Sequence, residues 1–410
     1  MGARLKLIIT AVVALVVVFA MWSLVVSPER SKASKLLGQI SSARAQLASA
    51  QQQVVVAEQA RSQYPADVRS LAALSESVPP GNPIPQLIDL VNSIEIKHKV
   101  NYTATSVSPG AANGGLTPVT LQTDWYPQPE HGGFYDALLR GYYKDEGLDV
   151  TILPGGPYVN SDQQVSVGAA QFEMGSSDHV LQVIGNGVPL VAVAATMQHD
   201  PQAIMVHQDS PVHGFQDLEG HPVAIRLGSS TWFDFLVKRY QLKTVREIPA
   251  TYSVANFLQD PGYIQQIFVT SEPFFVRQAG VPIRTMLISE AGYDPYRVMA
   301  TSQSFLQQHP DTVAKFVRAS LRGWHDYLVH PDDVNAAIAK LNPAMNVAQM
   351  NFSYEALRDQ HFITGEGDNL GHFDPARWSS MYQQLLDLKV IQKPFDPATA
   401  YTLQFIPTAH

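Results

Sequence analysis

The sequence predicts an α/β domain with a largely parallel sheet over residues 118–410, preceded by a transmembrane helix, a coiled-coil stalk and a small α+β segment. Three observations carry this prediction. Residues 5–26, LKLIITAVVALVVVFAMWSLVV, are apolar apart from Lys6, and about 20 such residues span a bilayer as a helix. Residues 33–64 accept a heptad frame. From residue 118 onward, short strand-like runs alternate with helical ones, the order expected of βα units. At 410 residues the chain exceeds what one hydrophobic core organises, so several domains are expected.

The first apolar run reads as an uncleaved anchor, because it outruns the 7–15 residues of a signal-peptide core and lacks a small-x-small cleavage site. Arg4 and Lys6 precede it, which places residues 1–28 as cytoplasmic tip and membrane helix, with the remainder periplasmic or extracellular. Arg30, Lys32 and Lys35 on the far side oppose that charge bias. The stalk, residues 29–65, sets Ala33, Leu36, Ile40, Ala43, Leu47, Ala50, Val54 and Ala57 at a and d positions. At ~1.5 Å per residue such a helix extends roughly 45–50 Å. A solvated single helix is the alternative reading of this Gln-, Ser- and Ala-rich stretch. VPPGNPIP then breaks the helix, since proline lacks the amide donor.

Within residues 66–110, Ile84, Leu87, Leu90, Val91 and Ile94 mark one helix face, and KVNYTATSVSPG alternates as a short strand. Membrane helix, coiled coil and this α+β segment together resemble the inner-membrane pilus-assembly proteins of the PilO type, although the later strands of a complete ferredoxin-like domain are not evident. A small, polar linker, residues 111–117, follows.

Composition narrows the function. Thirty-six acidic against 28 basic residues give a net charge of −8, which offers no attraction to phosphate backbones and argues against nucleic acid as a partner. With no cysteine in the chain, thiolate catalysis and cysteine-based metal sites are excluded. His179, His199, His207, His213 and His221 show no metal-ligand spacing such as H-E-x-x-H, so no metal and no cofactor is assigned. The charged stretch GYYKDEG reads as a solvated face, and GHFDP as a turn.

The strand VTLQTDW runs into the loop YPQPEHG and then into the helical GFYDALLRGYY. Ligands of open α/β sheets sit beyond the carboxyl ends of strands, which puts Trp125, Tyr126 and His131 at a cleft. Trp125 can equally cap the core, and His131 the helix. The pattern W-x-P-x-P-x-H, followed by GYYKDEGLDV, FEMGSSDHVL, FQDLEGHPVAI and IFVTSEPFFVRQAG, resembles the solute-binding proteins related to thiamine-pyrimidine synthase and to sulfonate-binding proteins. This resemblance implies a two-lobed, type II periplasmic-binding-protein fold that closes on a small molecule and delivers it to an ABC permease and its ATPase. Lobe one is expected at 118–202 plus 301–410 and lobe two at 203–300, with crossings near the extended runs AIMVH and RVMAT.

The resemblance also places Trp125 and Glu272 in the cleft, the carboxylate accepting hydrogen bonds from an aminopyrimidine edge; Tyr126, His131, Asp178 and Tyr293 complete this candidate site. Ser229 and Ser230, at the start of a helix beside Arg226, suit a sulfonate or phosphate instead. In the synthase branch a histidine is consumed, a lysine holds pyridoxal phosphate and a cysteine-rich motif assists with iron. Here Ser177 occupies the lysine position and no cysteine exists, so a Schiff base has no amine to form on. A pilus or envelope scaffold carrying a docking module, with a coiled-coil dimer or pilus protein as partner, is the third reading.

Overall fold

The computed structural model describes residues 115–156, 159–226, 231–251 and 253–406. The expected membrane helix, stalk and α+β segment lie outside the described residues, and so do Ser229 and Ser230. Among the described residues no helix is long and apolar enough to cross a membrane.

The chain opens with β1 (Thr117–Gln122), α1 (Gly132–Leu139), α2 (Tyr142–Asp145), β2 (Leu148–Leu153), α3 (Ser161–Ser166), β3 (Phe172–Ser176), α4 (Ser177–Gly185) and β4 (Leu190–Met197). It continues through β5 (Gln202–His207), β6 (Pro222–Ile225), α5 (Thr231–Tyr240), β7 (Arg246–Pro249), α6 (Ala255–Gln259), β8 (Ile264–Phe268), α7 (Glu272–Gln278) and β9 (Ile283–Leu287). After β10 (Arg297–Ser302) it is helical: α8 (Gln303–Gln308), α9 (Pro310–Tyr327), α10 (Asp332–Leu341), α11 (Val347–Asp359) and α12 (Pro375–Asp387).

Two five-stranded sheets result, ordered β2-β1-β3-β10-β4 and β7-β6-β8-β5-β9. They share one design. In the first, β1 pairs in parallel with β2 and β3, while β10 runs antiparallel to β3 and β4. In the second, β6 pairs in parallel with β7 and β8, while β5 runs antiparallel to β8 and β9. The single reversed strand of each sheet is the one the chain enters on crossing from the other. The crossings occupy residues 198–201 and 288–296, immediately before the runs AIMVH and RVMAT; β10, expected to straddle the lobe boundary at 301, lies wholly in the first sheet.

Strand sequence follows position in the sheet. LDVTIL of edge strand β2 alternates buried and exposed through its first four residues, whereas all eight residues of β4 are buried. Although β4 ends its sheet, its free edge is covered by backbone bridges from Ala195 to Gly371 and from Ala192 to Tyr401, which removes an edge open to pairing with another chain. GHFDP, read as a turn, supplies that cover: Gly371 has φ of 87°, Phe373 is buried, and the Asp374 side chain accepts from the Ala376 amide to cap α12. GYYKDEG also does more than face solvent, since Tyr143 is buried and Glu146 and Asp145 form ion pairs with Arg318 and Arg322 of α9.

The 18-residue α9 braces the loop after β1. Its Trp324 and Tyr327 are fully buried, Trp324 meeting Phe134 edge-on at 5.8 Å and Phe316 stacking on Phe172 at 3.9 Å. The α1–α9 crossing is close because it is built on glycine. A Cβ on Gly323 would lie 2.2 Å from the Gly133 carbonyl oxygen, and one on Gly133 would lie 2.2 Å from the Trp324 ring. Neither backbone can yield without moving the β1–α1 loop. Gly323→Ala is therefore expected to destabilise the domain by about 2–3 kcal/mol, the scale of forced overpacking, read as a lowered urea midpoint by tryptophan fluorescence; an unchanged midpoint would show that the crossing relaxes freely.

Candidate functional site

The carboxyl ends of β1, β3, β6 and β8 and the two crossings converge on one cleft between the sheets. Asp124, Trp125, Gln128, Glu130, Met174, Met197, Pro201, Arg226, Phe268, Ser271 and Arg297 line it, and it holds about 60 Å³ of free volume, several times the ~10–15 Å³ that one water requires. Met174, Met197 and Pro201 contribute apolar lining. Trp125 from the first lobe and Phe268 from the second stand as walls, with the Arg226 guanidinium 5.4 Å from the Trp125 ring centroid and 4.8 Å from that of Phe268, within cation–π range of both.

The charges in the cleft are paired across elements. Arg226 donates to Glu272 Oε1 at 3.1 Å, and Glu272 Oε2 accepts from the Phe268 amide at 2.9 Å. Arg297 donates to Asp124 Oδ2, its second nitrogen lies 3.8 Å from Asp200 Oδ2, and burial pulls its guanidinium down to about 10, still protonated at neutral pH. Asp124 Oδ1 lies 3.0 Å from His131 Nε2. Glu130 accepts from the Thr270 hydroxyl of the other lobe, and the Ser353 hydroxyl donates to the Thr270 carbonyl at 2.5 Å. Burial pushes the Glu130 carboxyl up, while the Thr270 hydrogen bond opposes that rise.

Behind the cleft the crossings are tied by a second polar layer. Asp200 accepts from the Gln202 amide at 2.9 Å and donates its own amide to Asp294 Oδ1 at 3.1 Å. The other Asp294 oxygen pairs with His199 Nδ1 at 2.6 Å and with Arg377 at 2.8 Å. Burial raises Asp200 to about 7, so this hinge acid takes up a proton close to neutrality.

The sequence-based candidates separate into groups. Trp125 lines the cleft. Glu272 stands just behind it as the partner of Arg226 rather than as an open acceptor. Tyr126 is 49% exposed and packs edge-on against Trp125 at 5.6 Å, on the outer side. His131 is fully buried, is absent from the cleft lining and makes no side-chain cap on α1; burial drives it down to about 4, so it is neutral and orients Asp124. Asp178 and Tyr293 meet each other, the phenol donating at 2.6 Å, while Ser176 donates to the second Asp178 oxygen at 2.5 Å. This pair ties α4 to the second crossing, in which Tyr293 lies. Ser177 is buried and exchanges hydrogen bonds with the Tyr296 backbone at 2.9 and 3.0 Å. Ser229 and Ser230 lie outside the described residues.

Sequence reasoning passed over Asp124, Glu130, Asp200, Phe268 and Arg297. Asp124 and Phe268 stand at the carboxyl ends of strands, where the rule that located Trp125 applies equally; Arg297 opens β10 and reaches the cleft because that strand is antiparallel, and Asp200 and Glu130 carry no comparable signal, because their importance arises from burial.

The two-lobed sheet architecture with its interlobe cleft defines the class, and comparison with known proteins places the chain within it. The family model described as NMT1/THI5 like matches residues 128–334, just over half of the chain. The chain belongs to this family. It is similar to the riboflavin-binding protein RibY of Chloroflexus aurantiacus, 26% identical over 312 residues that cover 71% of this chain and 87% of that one. A 4-amino-5-hydroxymethyl-2-methylpyrimidine phosphate synthase of Saccharomyces cerevisiae is 24% identical over 322 residues, covering 70% and 93%. The formylaminopyrimidine-binding protein of Halalkalibacterium halodurans is 23% identical over 234 residues, covering 53% and 68%. Among solved structures, the periplasmic aliphatic sulphonate binding protein SsuA of Escherichia coli superimposes with a TM-score of 0.54 at 14% identity, covering 69% and 91%, a likeness of fold.

The buried hinge acid has a measurable consequence. A carboxyl whose folded-state value lies near 7 against an ordinary 3.8 keeps its proton in the native state while the unfolded chain ionises, so its contribution is full below about pH 4 and is lost as pH rises through about 7. His131, lowered from 6.5 to about 4, acts in the opposite sense, costing stability as pH falls from 6.5 towards 4. Asp200→Asn is expected to gain thermal stability relative to wild type progressively between pH 4 and 7; a difference independent of pH would mean that Asp200 is ionised throughout.

Proposed function

We propose that this protein is an extracytoplasmic solute-binding receptor of an ABC importer whose lobes close on a small planar heterocycle, with an aminopyrimidine thiamine precursor as the leading ligand. The observation that carries the reading is that an aromatic ring from each lobe, Trp125 and Phe268, lines one cleft, both beside the Arg226 guanidinium. A flat ring stacked there would contact both lobes at once, and a ligand touching both binds the closed state better and shifts the population towards it. The pyrimidine named in two of the relatives and the riboflavin named in a third are both flat heterocycles. The synthase alternative is disfavoured because Ser177 stands at the lysine position and the chain has no cysteine. The anion-receptor alternative rests on the two guanidinium groups in the cleft, Arg226 and Arg297, and is opposed by the carboxylates that each already engages.

Trp125→Ala is expected to weaken binding of the heterocycle about 5- to 150-fold, the range of a lost ring stack at ~1–3 kcal/mol, read by isothermal titration. Undiminished affinity would remove Trp125 from the ligand site.

The apolar run at 5–26 supports a single-pass anchor with the binding domain outside the membrane, and the heptads at 33–64 support a stalk that holds it there. A tethered receptor searches only the surface around its permease, which raises its effective concentration. Full-length protein is expected in the membrane fraction, resistant to salt and alkali, and deletion of residues 1–110 should impair uptake while leaving ligand affinity intact. Release of the full-length protein with the soluble fraction would refute the anchor.

A further inference from the structure

Among the described residues, one polar group lining the cleft has a side-chain atom without a hydrogen-bond partner. Glu130 is buried at the seam between the lobes and lines the cleft. Its Oε1 accepts from the Thr270 hydroxyl, but its Oε2, also buried, has no hydrogen-bond partner among the described residues. A buried carboxyl oxygen left in this state is destabilising, and a ligand that supplied a donor would recover that loss. Of the neighbouring guanidinium groups, that of Arg297 donates to Asp124 and that of Arg226 to Glu272.

We propose that Glu130 is the specificity-determining residue of the cleft, accepting an N–H from the edge of the bound heterocycle, so that the site selects planar rings bearing an amino or ring N–H and rejects sulfonates. The proposal rests on the receptor reading above and deepens it. Geometry supports the assignment in two ways. Thr270 comes from the second lobe and is itself held by Ser353 of α11, so the carboxyl is oriented only when the lobes are together, the state in which a ligand is enclosed. The Trp125 and Phe268 walls line the same cleft as Glu130, so a ring stacked on them can present its edge to that group. An anionic group placed beside Glu130 would meet either a like charge or a buried acid with a single proton to give.

The test titrates full-length protein with two ligand pairs that differ by one donor, 4-amino-2-methylpyrimidine against 2,4-dimethylpyrimidine and riboflavin against 3-methylriboflavin, and with ethanesulfonate. Wild type is expected to prefer the N–H member of whichever pair it binds by tenfold or more, and Glu130→Gln to reduce that preference at least fivefold. Thr270→Val, which frees the carboxyl from its interlobe anchor, should weaken both members while retaining a preference. If wild type binds the pair but Glu130→Gln keeps the full preference, the role of Glu130 is overturned and the receptor reading stands. Tighter binding of ethanesulfonate than of either N–H ligand overturns the donor-edge selection, again leaving a receptor. Binding of none of the five overturns the receptor reading and this proposal with it.

Discussion

The Arg297–Asp124 ion pair is the interaction around which the binding domain is organised. Arg297 begins β10, the strand on which the chain returns to the first sheet, and Asp124 follows β1, the strand on which that sheet begins. The pair therefore ties the return crossing to the loop that carries Trp125, and Asp200 on the outward crossing faces the same guanidinium. An arginine this deeply placed pays for desolvation through its partners, and removing one partner of a buried pair typically costs about 3–5 kcal/mol because a bare charge is left behind. His131 completes the arrangement from below: neutral and fully buried, it holds Asp124 in the orientation that meets Arg297.

That reading answers what the histidine in YPQPEHG is for. A reactive or ligand-contacting imidazole needs access, and this one has none. Its place in the W-x-P-x-P-x-H pattern is explained by shape: prolines restrict the loop, the imidazole anchors its end, and the glycines at 132 and 133 let α1 approach α9 closely enough to clamp the whole turn. The aromatic wall of the cleft is thus rigid because of residues that never touch its contents, the usual relation between a binding group and the groups that position it.

The arginines of the cleft are engaged by carboxylates: Arg226 by Glu272, and Arg297 by Asp124 with Asp200 facing the same guanidinium. A shared fold does not by itself carry a shared ligand chemistry. Among the described residues that line the cleft, the side-chain oxygen without a hydrogen-bond partner is Glu130 Oε2.

Much of the architecture was legible in the chain alone because it depends on local regularities: strand-like runs such as VTLQTDW and PLVAVAATM alternate with amphipathic helices, and the rule that loops at strand ends build sites pointed to Trp125. The reversed strands β5 and β10 were recognised as extended runs, while their antiparallel direction and the covering of β4 by the distant segment around Gly371 were not. Tertiary structure decided the roles of the charged residues. Whether Glu272 is an open acceptor or the counter-ion of Arg226, and whether Asp200 is an ordinary aspartate or one titrating near 7, depends on groups tens to hundreds of residues apart and on how much water remains between them. Periodicity reports which face of an element is buried; it does not report what lies opposite, and electrostatics is settled by what lies opposite.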